Sequence, residues 1–246
     1  MKRLSWQGLL VSSFIVVSIT LYLIHYVIFK NVHDIFFYMI MDIAFLPVQV
    51  LLVTLVIHRL LEDREKRARL EKLNMVIGTF FSEVGTKLLT YLSDFDPDLE
   101  KIRSDLIVTN NWSDQEFMNV NKRLRNYNYG VDVQKIDLER LKAFLSSKED
   151  FLVRLLENPT MLEHQSFTEQ LRAVFHLAEE LSCREDPRNL PETDRVHLAN
   201  DIKRAYQLIV HQWLDYMKYL KKSYPYLFSF AMRTNPFDQN ASPIVK

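Results

Sequence analysis

Three histidine–acid pairs stand at spacings that put both side chains on one face of a helix. His176 is followed by Glu179 and Glu180, His197 by Asp201, and His211 by Asp215. Positions three and four apart are neighbours on a helix, so an imidazole nitrogen and a carboxylate oxygen can converge on one cation. Carboxylate-bridged dimetal bundles place Glu and His in this way. Here the stripe His197, Asp201, Arg204, Leu208, His211 and Asp215 is interrupted by Arg204 and Leu208 and runs beside the apolar face of its helix rather than on it. Helices this charged also produce such pairs without a ligand. The expectation is therefore a solvated or subunit-facing surface with no metal and no cofactor, in which His176, His197, Asp201, His211 and Asp215 are only weak metal candidates. Cys183, the single cysteine, lies two turns beyond His176, too far for a thiolate–imidazole pair within that helix, and cannot form an intramolecular disulfide.

A second set of polar residues is embedded in apolar sequence. Gly8 to Phe29 reads GLLVSSFIVVSITLYLIHYVIF and Ile35 to Ile57 reads IFFYMIMDIAFLPVQVLLVTLVI. Each run meets the ~20 residues a helix needs to cross a hydrocarbon core ~30 Å thick. Ser18, Tyr22 and His25 share one face of the first run, and Asp42 and Gln49 share one face of the second. Counted inward from the connection, these residues reach comparable depths, which would let the two polar faces meet across a hairpin. A carboxylate at the depth of Asp42 requires a partner. Two roles stay open: a structural one, with Asp42 bonded to His25, Tyr22 or a neighbouring subunit, and a functional one involving protons or a ligand. Pro47 predicts a kink in the second helix.

The elements that must hold these residues follow. Only Lys30 to Asp34 separate the runs, enough to turn between antiparallel helices but too little for an extracytoplasmic sensor or a re-entrant pore loop. The first run is too long for a signal-peptide core and lacks a small-residue cleavage site, so it is expected to be retained. Lys2 and Arg3 before the first run match Arg59, Arg64, Lys66, Arg67, Arg69 and Lys72 after the second, against Lys30 alone between them. The positive-inside rule then puts both termini in the cytosol of an inner-membrane, multi-pass protein.

Composition narrows the soluble part. Among 246 residues there are 4 glycines, a shortage that disfavours tight β-turns and phosphate-cradling loops. No Walker, dinucleotide or kinase motif is present. Beyond residue 72 the chain carries 22 bases and 25 acids, with no basic patch for nucleic acid.

The predicted fold class is all-α, a two-helix transmembrane hairpin followed by a cytosolic helical bundle. The hairpin occupies 1–57, with helices near 8–29 and 35–57. A long juxtamembrane helix continues over 58–95, the bundle fills 96–237, and 238–246 form a disordered tail. Leu70, Leu73, Ile77, Phe80 and Val84 make a short coiled-coil-like seam, open to ordinary packing or to a homodimeric stalk. Gly78, Ser82 and Gly85 form a second stripe, read as a joint or a close-packing face, because glycine within a helix costs ~1 kcal/mol relative to alanine. Capping boxes at Ser113–Glu116 and Ser166–Glu169, a cap at Asp96 and breaks at Pro159 and Pro187 predict helices near 97–109, 114–127, 136–157, 166–184 and 194–222. The aromatic stretch 224–237 is expected to fold back as a lid, or else to dock a partner or the membrane interface. The functional expectation is a membrane-anchored interaction module, a scaffold or regulatory subunit without catalysis, whose partners are the lipid bilayer, an unidentified protein and a second copy of itself. The alternatives are an intramembrane sensor using Asp42 and His25, and a metal-dependent bundle enzyme.

Overall fold

The computed structural model describes residues 6–132, 134–159, 161 and 164–245. Lys2 and Arg3, on which the orientation argument partly rests, lie outside them. The fold is all-α, and no strand occurs among the described residues. The chain separates into two compact units, residues 1–66 and 67–246.

In the first unit α1 (Trp6–Phe29) and the start of α2 (Val32–Phe80) carry the apolar runs. Their connection is tighter than the expected five residues. Lys30 turns the chain with a left-handed φ of 47°, and the Asn31 side chain accepts from the His33 backbone N–H, which starts α2 at Val32. Pro47 is accommodated without breaking α2. No residue of α1 is buried, and the first buried residue of α2 is Leu73.

The second unit is the bundle. Leu73, Ile77 and Phe80 of α2, Phe81 and Val84 of a π-helical turn (Phe81–Gly85), and Leu88, Leu89 and Leu92 of α3 (Thr86–Ser93) all enter its core. Residues 67–95 thus fall within the compact unit of the bundle, and of the coiled-coil-like seam Leu73, Ile77, Phe80 and Val84 pack inside it while Leu70 stays exposed. The π turn adds a residue to the helical repeat. Gly78 and Gly85 face packed side chains while Ser82, on the side away from the core, is exposed.

Four further helices follow: α4 (Glu100–Leu106), α5 (Asp114–Leu124), α6 (Leu138–Ser146) and α7 (Glu149–Leu156). The predicted helix 136–157 is divided in two at Ser147, whose hydroxyl donates to the Phe144 carbonyl and competes with the helical ladder. The Ser113–Glu116 capping box forms as expected. That at Ser166 does not: α8 (Gln165–Ser182) is capped by the His164 ring, which accepts from the Phe167 N–H.

Helix α9 (Glu192–Ser223) is central, packed against α3, α5, α8 and α10 (Pro225–Arg233). Being surrounded, it buries more than one stripe, including Leu198, Ile202, Tyr206, Ile209, Val210, Leu214 and Met217. The aromatic C-terminal stretch closes the bundle. Phe237 is buried against Trp213 at a ring separation of 5.1 Å, and the Asn235 amide donates to the Leu106 carbonyl. The segment beyond Asp238, expected to be disordered, also bonds back: the Ser242 N–H donates to the Arg233 carbonyl at 2.8 Å.

Candidate functional site

The largest helix–helix contact of the bundle, between α8 and α9, carries a cluster of ionisable side chains. Each helix contributes a histidine and an acid four residues apart, His176 and Glu180 from α8 and His197 and Asp201 from α9. Because both pairs face the same seam, four side chains that are adjacent only two by two in sequence converge. His176 Nε2 lies 3.8 Å from Glu180 Oε1 and 3.7 Å from Asp201 Oδ2. His197 Nε2 lies 3.4 Å from both Glu180 Oε2 and Asp201 Oδ2.

Burial is uneven across the cluster. The two imidazoles are half-exposed, whereas Asp201 is 5% exposed and its Oδ2 has no hydrogen-bond partner. The rim is cationic. Arg184 Nη1 donates to Glu180 Oε2 at 2.8 Å, and its other nitrogens clamp Asp194 at 2.6 and 2.7 Å. This hydrogen bond from Arg184 holds the Glu180 carboxyl below the usual glutamate range, and the clamp of both acids raises the guanidinium further. Arg204 stands 3.8 Å from Asp201 Oδ1. Two imidazoles and two carboxylates around one point can share protons or ligate a divalent cation.

The remaining sequence candidates are dispersed. His211 and Asp215 do not join the cluster. Both meet Asn121 of α5, with His211 Nδ1 2.7 Å from the amide oxygen and Asp215 Oδ1 accepting from the amide nitrogen at 3.2 Å. The stripe expected along α9 is therefore split, because α8 packs over its start and α5 over its end. Burial pushes the His211 imidazole below its ordinary value. Glu179 points to solvent, and Cys183 is exposed and unpaired.

In the apolar unit His25 Nδ1 is buried without a hydrogen-bond partner, its ring lying against Phe29 at 4.8 Å. Asp42 and Gln49 are exposed on α2. No hydrogen bond or ion pair joins His25 to Asp42 among the described residues. The glycine stripe serves side-chain packing: a Cβ at Gly78 would stand 2.8 Å from the Tyr216 hydroxyl, and one at Gly85 2.6 and 2.7 Å from the Phe81 and Phe80 rings.

Two tertiary roles carried no signal in the sequence. Glu180, visible there only as a partner of His176, becomes central because Arg184 and His197 turn toward it. Asp96, expected as a helix cap, accepts from the Asp98 N–H but is also a buried acceptor whose two oxygens take the Tyr127 hydroxyl at 2.9 Å.

Comparison with known proteins agrees with the division of the chain. Residues 2–61 match the family model described as "MJ1433, N-terminal helical domain", and residues 69–233 match "Uncharacterized protein MJ1433, C-terminal helical domain". The gap between the two matches contains the Lys66–Arg67 division of the compact units. "Uncharacterized protein MJ1433" of Methanocaldococcus jannaschii is 49% identical over 232 residues, spanning 94% of this chain and 93% of that protein. No solved structure matches the chain. Matched over both helical domains and along nearly the whole length of that relative, the chain belongs to the MJ1433 family.

Proposed function

We propose that this protein is a membrane-anchored helical module, in which α1 and the first part of α2 cross the bilayer as a hairpin and the bundle works in the cytosol as a scaffold or regulatory subunit. One observation carries this reading: α2 contains both an apolar run left uncovered by the described residues and, further along the same helix, the residues that begin the bundle core. Side chains such as Leu21 and Ile40, 61% and 63% exposed, would cost ~25 cal/mol for each Å² left in water. Lipid removes that cost, and apolar surface of this extent otherwise marks an interaction site. The base-rich segment after Ile57 supports a cytosolic bundle.

Cys183 provides the test, since it is the chain's single cysteine and is exposed. A membrane-impermeant maleimide should label it in inverted vesicles and leave it unlabelled in right-side-out ones. In a Cys183→Ser background, Lys30→Cys should show the reverse pattern. Equal labelling of Cys183 from both sides, or its extraction by alkaline carbonate, would remove the reading.

A second reading, self-association through the hairpin, is favoured by Asp42. A carboxylate on an apolar helix costs about 2.5–3.5 kcal/mol at mid-bilayer on insertion scales, and a neighbouring copy can supply Asp42 with the donor it does not meet among the described residues.

A further inference from the structure

We infer that His176, Glu180, His197 and Asp201 form a binding site for one divalent transition-metal cation of the zinc type, bridging α8 and α9. The donor set is two imidazoles and two carboxylates, the nitrogen and oxygen mixture that suits Zn²⁺ and its neighbours and not Mg²⁺ or Ca²⁺, which take oxygen alone.

The spacing fits a single ion. Ligand bonds of about 2.1 Å in tetrahedral geometry separate neighbouring donors by roughly 3.4 Å. Both histidine nitrogens face Asp201 Oδ2, at 3.7 Å for His176 and 3.4 Å for His197, while the two oxygens of Glu180 face one each, Oε1 at 3.8 Å from His176 and Oε2 at 3.4 Å from His197. The donor atoms of His176, Glu180 and Asp201 all lie within 4.8 Å of one another, and His197 Nε2 stands 3.4 Å from Glu180 Oε2 and from Asp201 Oδ2. Hydrogen-bonded pairs would sit closer, and these do not.

The buried oxygen points to a ligand independently. Asp201 Oδ2 is enclosed within a residue that is 5% exposed, has no hydrogen-bond donor, and is faced by both imidazole nitrogens just beyond bonding distance. Buried carboxylate oxygens without donors are rare, because the lost hydration is uncompensated. A cation between the three groups satisfies that oxygen and takes a nitrogen lone pair from each imidazole.

The surroundings are those of ligands held in place. Arg184 fixes Glu180 through a hydrogen bond at 2.8 Å, and its charge is already matched by Asp194, so it orients the carboxylate without opposing a bound cation. Arg204 is 63% exposed and lies 3.8 Å from the opposite oxygen of Asp201, free to turn to solvent. The half-exposed histidines leave an entry path.

The test uses the untagged full chain in detergent, stripped with a chelator and titrated with Zn²⁺ against a chromophoric competitor. One equivalent should bind, and His176→Gln with His197→Gln should weaken it by about 100-fold, while His211→Gln leaves it unchanged. Co²⁺ in place of zinc should give the intense visible absorption of a four-coordinate site in the wild type alone. Both histidines are half-exposed, so the double variant should keep the wild-type unfolding midpoint in chelator. Zinc should raise that midpoint in the wild type only. Zinc uptake equal in the wild type and the double variant, or a six-coordinate Co²⁺ spectrum common to both, would overturn the assignment.

Discussion

At the scale of the residue, Asp96 shows how a side chain read as a local cap becomes a buried charge. Its carboxylate is 8% exposed and accepts the Tyr127 hydroxyl and the Asp98 N–H, with the buried Tyr206 hydroxyl also directed at it. Burial raises the Asp96 pKa, and the hydrogen bond from Tyr127 opposes that rise only in part. A carboxyl whose folded pKa lies above its unfolded one favours the folded state fully below the ordinary aspartate range. That contribution is lost as pH rises through the raised value. Asp96→Asn, neutral at every pH, should therefore gain stability relative to wild type on going from acid to neutral solution, by about 1.4 kcal/mol for each pH unit separating folded from unfolded pKa. Unfolding midpoints of both proteins across that range decide it, and parallel curves would show that Asp96 does not carry the linkage.

At the scale of the element, helix ends and one irregular turn set the register of the bundle. The capping box of α5 satisfies two otherwise orphan N–H groups, Ser113 accepting from Glu116 and Glu116 accepting in return. Ser113→Ala should cost about 1 kcal/mol in denaturant unfolding, with most of the loss recovered by Ser113→Asp. The π turn at Phe81–Gly85 has a larger effect. By shifting the repeat it brings Leu89 toward the face that Phe80, Phe81, Val84 and Leu88 already share at ordinary helical spacing, and all five are buried. The small residues at Gly78 and Gly85 are required by this arrangement, since the Tyr216 hydroxyl and the rings of Phe80 and Phe81 occupy the space a side chain would need.

At the scale of the whole molecule, the proposed anchor and the bundle are separable in composition and share one helix. Residues 67–246 expressed alone should remain in the supernatant without detergent and keep their helical circular dichroism, because the core from Leu73 to Phe237 lies within them. Aggregation of that fragment would show that the bundle depends on the hairpin. An affinity capture from membranes comparing wild type with Asp42→Asn, Gln49→Leu and a substituted hairpin then separates the two readings of function. Capture of partner by every form assigns the working surface to the bundle. Loss of self-association with Asp42→Asn assigns it to the apolar helices.

Much was legible from the chain alone. The all-α class, the two apolar helices, the Ser113 capping box and the central position of α9 follow from glycine scarcity, apolar periodicity and cap spacing, all local properties of the sequence. The candidate site was legible in halves. His176 with Glu180 and His197 with Asp201 are visible as one-turn spacings, but nothing local says that the two pairs meet while His211 and Asp215 are drawn away by Asn121. That outcome depends on which helix covers which part of α9. The division of 136–157 into two helices and the burial of Asp96 were likewise settled by packing, because a serine hydroxyl or a carboxylate finds its partner only after distant elements have closed around it.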